Sequence, residues 1–366
     1  MFYSILFILY LVFAIYLELA GVTFPTKKKL LGLTFLVVAL MVGFRSYYVW
    51  ADSGVYAYSF TTAPSLWDLS FATVPVGYSE SGFYLLTTCI KAITSNIHFY
   101  FLVISCLSFW LLYKFDKKYC LFPFLAFAIY MARFLAGRNN MQIRAGLAIP
   151  LVLLFGTKYV YQKQFYKFLA IIFVGYCLHH SMLIALPLYL ANYIKLQKKH
   201  IYMGIIVAFG IALLGGATIK SVIESSDFIQ DMAKSYVEEG SEKKYSATLA
   251  NPMIYYQCLF LLLFTFYENK LKGKIKYYYL IRSAYFYSTF LLIILYDYAI
   301  IAGRTSTIFA TYEMIIVPSL LFVLKGSLKK FYLCFLLVLY SFFFIQNWKP
   351  VQLTQIELQQ AIQMDK

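Results

Sequence analysis

The sequence predicts an all-α, polytopic integral membrane protein with about 11–12 transmembrane helices, outer-face loops and short or re-entrant helices. Three observations carry this. Of the 366 residues, 62% are hydrophobic and 13% charged, against roughly 45–50% and about 25% in a soluble domain. Mean hydropathy is +0.71. Apolar stretches of the roughly 20 residues needed to cross a bilayer recur along the whole chain. A water-soluble protein, a disordered tail and a collagen-like fibre are thereby ruled out. A β-barrel would read as weak alternation rather than as solid apolar runs.

Taken in order, clear spans cover 2–20, 30–49, 98–113, 119–136, 143–157, 201–217, 252–267, 278–296, 307–324 and 331–347. Residues 2–20 lack a basic start and a small-residue cleavage site, so they read as a retained helix rather than a cleaved signal. The stretch 166–195 is too long for one crossing and basic at both ends, which splits it into two short helices meeting at His179-His180-Ser181. Nineteen of the 26 lysines fall in six clusters, at 27–29, 114–118, 158–167, 195–199, 270–276 and 325–330. Cytoplasmic loops are enriched in Lys and Arg, and all six clusters fit on that side only if 82–96 does not cross. The chain is then a single integral membrane domain, 1–366. Its first outer loop, 45–97, carries an interfacial helix, and 218–251 forms a long outer segment.

Asp52, Asp68 and Glu80 fall in the first of these, and Glu224, Asp227, Asp231, Glu238, Glu239 and Glu242 in the second. The net charge of +16 is therefore a topology signal and an attraction to anionic lipid. No basic patch sits on a soluble domain, so nucleic acid is not a partner. The six cysteines are scattered singly, without metal or disulfide spacing. The tail 351–366 reads as a short outer amphipathic piece.

The arginines depart from the lysines. Arg45, Arg133, Arg138, Arg144 and Arg304 map to outer helix ends or outer loops, and only Arg282 lies toward the cytoplasm. Arginine on the disfavoured side needs a local reason. Guanidinium grips phosphate oxygens with two parallel donors, which lysine cannot do. A bound anion at the outer face is one reason; snorkelling to headgroups or pairing with Asp and Glu is the other.

Four constellations stand out. The first is Arg45 with Asp52 and Tyr56, entering a long loop that ends at Glu80-Ser81-Gly82-Phe83. Carboxylates and Tyr hydroxyls beside an arginine suit sugar hydroxyls and proton transfer, while an Arg45–Asp52 ion pair is the plain alternative. The second is Arg138-Asn139-Asn140-Met141-Gln142-Ile143-Arg144, opening an apolar helix. Free N–H groups there form an anion site, and Arg144 in the first turn opposes the helix dipole unless an anion is bound. The third, Leu178-His179-His180-Ser181, puts histidines at membrane depth, as base, proton relay or donor. The fourth is Gly303-Arg304-Thr305-Ser306-Thr307 with Glu313 and Pro318 deeper in the same helix. Glu18 and Glu313 are intramembrane acids that pair or relay protons. No Walker sequence, GxGxxG or internal repeat occurs.

In order along the chain, Arg45…Asp52…Tyr56, Glu80-Ser81-Gly82-Phe83, Gln142-Ile143-Arg144, His179-His180-Ser181 running into Leu186-Pro187-Leu188-Tyr189, and Arg304 before Glu313 and Pro318 resemble the EpsG family. Its members are Wzy-like polymerases of bacterial surface polysaccharide such as O-antigen or capsule. Three departures are visible, one of them an Arg45-to-Asp52 spacing one residue longer than is usual in the family. The family usually has Gly-Thr-Asp where Trp50-Ala51-Asp52 stands here, and a Gln where Ala145 follows the central Arg.

The resemblance implies a metal-independent glycosyltransferase without cofactor, in the bacterial cytoplasmic (inner) membrane with its active site facing outward. It would move a growing glycan from undecaprenyl pyrophosphate onto a fresh lipid-linked repeat unit. His179, Asp52 and Arg144 are then the catalytic candidates, with His179 or Asp52 as the base. Arg45, Tyr56, Glu80, Arg138, Asn140, Gln142, His180, Ser181 and Arg304 are the substrate-binding candidates. The implied partners are undecaprenyl-pyrophosphate-linked oligosaccharide, membrane lipid and a chain-length regulator protein. Competing functions are a polysaccharide ligase, a flippase or transporter of lipid-linked sugar, and a metal-dependent glycosyltransferase using Asp52 or Glu80.

Overall fold

A computed structural model describes residues 2–19, 24–50, 52–70, 80–214 and 248–349 of the chain. These residues are 82% helical, with no strand among them. Residues 215–247, which hold most of the segment 218–251 predicted to lie outside and the acidic residues from Glu224 to Glu242, lie outside the described residues. So do 71–79 of the first outer loop and the tail 351–366.

The described helices are α1 (Phe2–Leu19), α2 (Phe24–Gly43), α3 (Ser53–Thr62), α4 (Ser81–Ile93), α5 (Ile97–Tyr119), α6 (Pro123–Tyr130), α7 (Ile143–Leu151), α8 (Thr157–Tyr161), α9 (Phe165–Leu178) and α10 (Lys198–Leu214). After the undescribed stretch come α11 (Pro252–Phe266), α12 (Glu268–Leu271), α13 (Tyr278–Ile294), α14 (Ala299–Ala310), α15 (Glu313–Ser319) and α16 (Gly326–Asn347). Each predicted span carries helix. By length and composition α1, α5, Ile143–Tyr161 and α16 are continuous helices able to cross a bilayer. Among the described residues, the pair Ile301–Ala310 and Glu313–Phe322 adds a fifth only as a span bent by 56°. Phe165–Leu178 and Pro252–Phe266 are shorter apolar helices. The molecule is an all-α membrane protein.

The chain divides into two compact units, Met1–Leu183 with Leu324–Lys366, and Ile184–Val323. In the first, α2 packs on α5, α5 on α7, and α1 on α6 and α16, while α9 packs on both α4 and α7. Ser105 fixes the α2–α5 seam by donating to the Ala39 carbonyl at 2.8 Å. In the second unit α13 packs against α10, α11 and α14. There Arg282, fully buried, donates to Glu268 at 2.6 Å and to the Leu196 carbonyl.

Several local features differ from what the apolar pattern predicts, each for a physical reason. α2 stops at Gly43 rather than continuing to 49, and Arg45 Nη1 turns back to cap the Val42 carbonyl at 2.7 Å. The polar run Arg138-Asn139-Asn140 does not open α7. It closes the preceding helix, which continues past Tyr130 as a π-helix, Met131–Met141. Such widened turns re-aim side chains and gather at functional positions. Residues 166–195 do break at His179, whose backbone is extended, but the second piece is a 3₁₀-helix, His180–Asn192, with Pro187 inside it.

Candidate active site

The site is built within the first unit on an aromatic floor. Tyr56 and Phe60 of α3, Phe83 and Tyr84 of α4, Tyr100 and Phe101 of α5, and Ile143 form one buried cluster. Phe60 stacks on Tyr100 with ring centroids 4.6 Å apart. This platform fixes the starts of α4 and α7 beside the end of α9.

Glu80 stands just before α4 and is only 2% exposed. A buried carboxylate must be paired and hydrogen-bonded, and this one is on both oxygens. Arg144 Nη1 donates to Oε2. His179 Nδ1 lies 3.0 Å from Oε1, and the His180 backbone N–H donates to the same oxygen at 3.4 Å. Arg144 Nε donates to the Tyr56 hydroxyl at 3.1 Å. Burial raises the Tyr56 phenol above its ordinary pKa, so it stays protonated at neutral pH.

An ionised carboxylate only accepts hydrogen bonds, so His179 Nδ1 carries the proton in this contact. In the neutral imidazole Nε2 is then the acceptor, the tautomer a general base requires. A carboxylate behind an imidazole holds its tautomer and orientation and stabilises the imidazolium that forms on proton uptake. Arg144 in turn anchors the carboxylate. The chemical capacity is proton abstraction from a hydroxyl at His179 Nε2, beside a guanidinium.

Two glycines permit this convergence. A Cβ on Gly82 would sit 2.7 Å from Cys177 Cβ and 2.8 Å from its carbonyl oxygen, so α4 reaches α9 only because residue 82 has no side chain. A Cβ on Gly146 would sit 2.7 Å from the Arg138 carbonyl oxygen, where the π-helix folds against α7. Gly82→Ala is expected to cost about 1–3 kcal/mol of stability by overpacking. It should also lower activity, because it pushes Glu80 away from His179. A thermal melt alongside an activity assay checks both.

A second group adjoins the first. Arg45 Nη2 donates to the Asn140 carbonyl at 3.3 Å, and Ser53 Oγ donates to the same oxygen at 2.8 Å. The Arg45 guanidinium lies over the Phe101 ring, 4.4 Å from its centroid. Ser53 and Tyr56 are one turn apart on α3 and share a face, so one short helix serves both groups.

The candidates therefore separate. Tyr56, Glu80, Arg144, His179 and the His180 backbone converge, and Arg45 joins Asn140. Asp52 is the N-cap residue of α3 without a side-chain cap bond, and acts on Tyr56 through its charge. The Arg45–Asp52 ion pair does not form; Arg45 holds two carbonyls and the Ser53 hydroxyl. Arg138 is buried with its guanidinium 4.0 Å from the Phe134 ring centroid. Gln142 precedes α7 without a side-chain cap bond, and Ser181 follows on the 3₁₀-helix without joining the Glu80 bonds. Arg304 lies on α14 in the other unit. There Glu313 is buried and accepts from Tyr256 at 3.3 Å and Tyr285 at 3.4 Å. Ser53 and Phe101 were not among the candidates, since nothing in their types marks them.

Among the described residues no three His, Cys, Asp or Glu side chains are grouped so as to hold a metal ion. No curated protein and no solved structure matches the chain. The family comparison does match, over residues 28–358, which takes in every residue of the site and most of the molecule. The chain belongs to the EpsG family.

Proposed function

We propose that the protein is a polysaccharide polymerase, a membrane glycosyltransferase. It extends an undecaprenyl-pyrophosphate-linked glycan by moving it onto a new lipid-linked repeat unit at the outer face of the bacterial cytoplasmic membrane. The observation that carries this reading is the buried Glu80–His179 pair braced by Arg144 and Tyr56, in a chain of the EpsG family. In the reaction, His179 Nε2 takes the proton of the acceptor hydroxyl. That oxygen forms the new bond to the anomeric carbon of the donor glycan, and the bond to the lipid pyrophosphate breaks. The leaving pyrophosphate needs positive charge, which guanidinium supplies without a divalent ion.

Deleting the gene in its host tests the reading. Surface glycan should be truncated to a single repeat unit. Ladders of normal length would sink the proposal, and long polymers stranded on the lipid carrier would instead identify a ligase.

A further inference from the structure

Between α1, α2, the π-helix and α16, all in the first unit, lies a cavity of about 620 Å³. That is within the range of small-molecule and cofactor sites, roughly 300–1,000 Å³. Phe7, Val37, Leu135 and Phe344 contribute to its largely apolar wall, and Arg45 and Asn140 also line it. The Tyr10 and Thr34 hydroxyls on the wall are already spent on the Phe124 and Leu30 carbonyls. The buried polar atoms of the lining that lack a partner are both amide atoms of Asn140, which is 1% exposed, and Arg45 Nε.

The two arginines of the site thus differ in kind. Arg144 has its carboxylate in Glu80. Arg45 has none: its bonds go to neutral carbonyls and a hydroxyl. An uncompensated guanidinium and an unsatisfied buried amide at an apolar cavity fit an anion carried on a hydrocarbon chain. Amide N–H groups and guanidinium both donate, and phosphate oxygens accept.

We propose that this cavity holds the polyprenyl chain of the phosphorylated lipid carrier, with its pyrophosphate at Arg45 and the Asn140 amide. The arginine that meets the leaving group is then Arg45, and Arg144 positions Glu80. The choice of a polyprenyl carrier over another lipid anion rests on the polymerase reading. The position fits that choice, because α3 links Ser53, bonded to Asn140, with Tyr56, bonded to Arg144.

The test is binding of farnesyl pyrophosphate to the purified full-length protein in detergent, followed by tryptophan emission. Trp50 and Trp348 both line the cavity, with ring centroids 5.1 Å apart. Val37→Trp, which fills the cavity, and Asn140→Asp, which keeps the shape but adds negative charge, should each weaken binding at least about tenfold. His179→Ala should bind as wild type does, since the base does not touch the carrier. Inorganic pyrophosphate binding as tightly as farnesyl pyrophosphate would show that the cavity contributes nothing, and would overturn the inference. Displacement by equimolar phosphatidylglycerol would assign the cavity to bilayer lipid and overturn it too. Should Val37→Trp fail to fold, Asn140→Asp decides alone, and unchanged affinity there defeats the proposal. Because binding is read without turnover, this outcome is separate from whether the protein polymerises.

Discussion

His179→Ala is expected to slow chain extension by about 10²–10⁴, the usual contribution of a positioned acid–base group, without disturbing insertion or folding. The imidazole is held by Glu80 Oε1 at 3.0 Å, and on its removal that oxygen keeps the His180 N–H while the carboxylate keeps Arg144. The sequence left His179 and Asp52 as rival bases, and the geometry separates them. His179 has a carboxylate fixing its tautomer, whereas Asp52 sits at the start of α3 and acts on Tyr56 through its charge. Asp52→Asn should therefore cost much less than His179→Ala. Initial rates of the two purified variants on the same lipid-linked substrate measure this, and the reverse order would make Asp52 the base.

Arg144→Lys is expected to insert normally and to lose about 10² in rate, the scale of a small misplacement of a catalytic group. The guanidinium bonds in different directions, Nη1 to Glu80 and Nε to Tyr56 among them. An ammonium is a point charge on a flexible stem and cannot reproduce that fork. With the carboxylate loosened, His179 loses its orientation. Glu80→Gln should give a loss of similar size by the same route. The double variant should then be no worse than either single one, because residues acting through one network are not additive. Rates of all four proteins complete the cycle. Near wild-type turnover in Arg144→Lys would make the arginine purely structural.

The helical membrane class was legible because bilayer thickness sets the length of apolar runs, and those runs are plain in this composition. The break at His179 was legible too, from lysines at both ends of a stretch too long to cross once. The 56° bend between Ala310 and Glu313 was not. It falls at Thr311-Tyr312 inside an unbroken apolar pattern, where Glu313 bonds Tyr256 and Tyr285 from other helices.

For the site, residue types and motif order identified Tyr56, Glu80, Arg144 and His179 as candidates but not their pairing. Arg144 had no carboxylate among its sequence neighbours, which pointed to a bound anion. Its partner lies 64 residues away, and Glu80 in turn meets His179 across 99. Contacts at such separation depend on how α4, α7 and α9 pack, down to the missing Cβ of Gly82. Arg45 shows the converse. The nearby Asp52 suggested a local pair, yet the early end of α2 turns the guanidinium onto the Val42 and Asn140 carbonyls instead.

The most direct measurement is chain extension by the purified protein given only synthetic undecaprenyl-pyrophosphate-linked repeat units, with and without chelator, with products sized by gel or mass spectrometry. The account predicts a ladder of polymers that is insensitive to chelator in the wild type and absent in His179→Ala. Products no longer than one repeat unit from folded wild-type protein, or a ladder abolished by chelator, would contradict it.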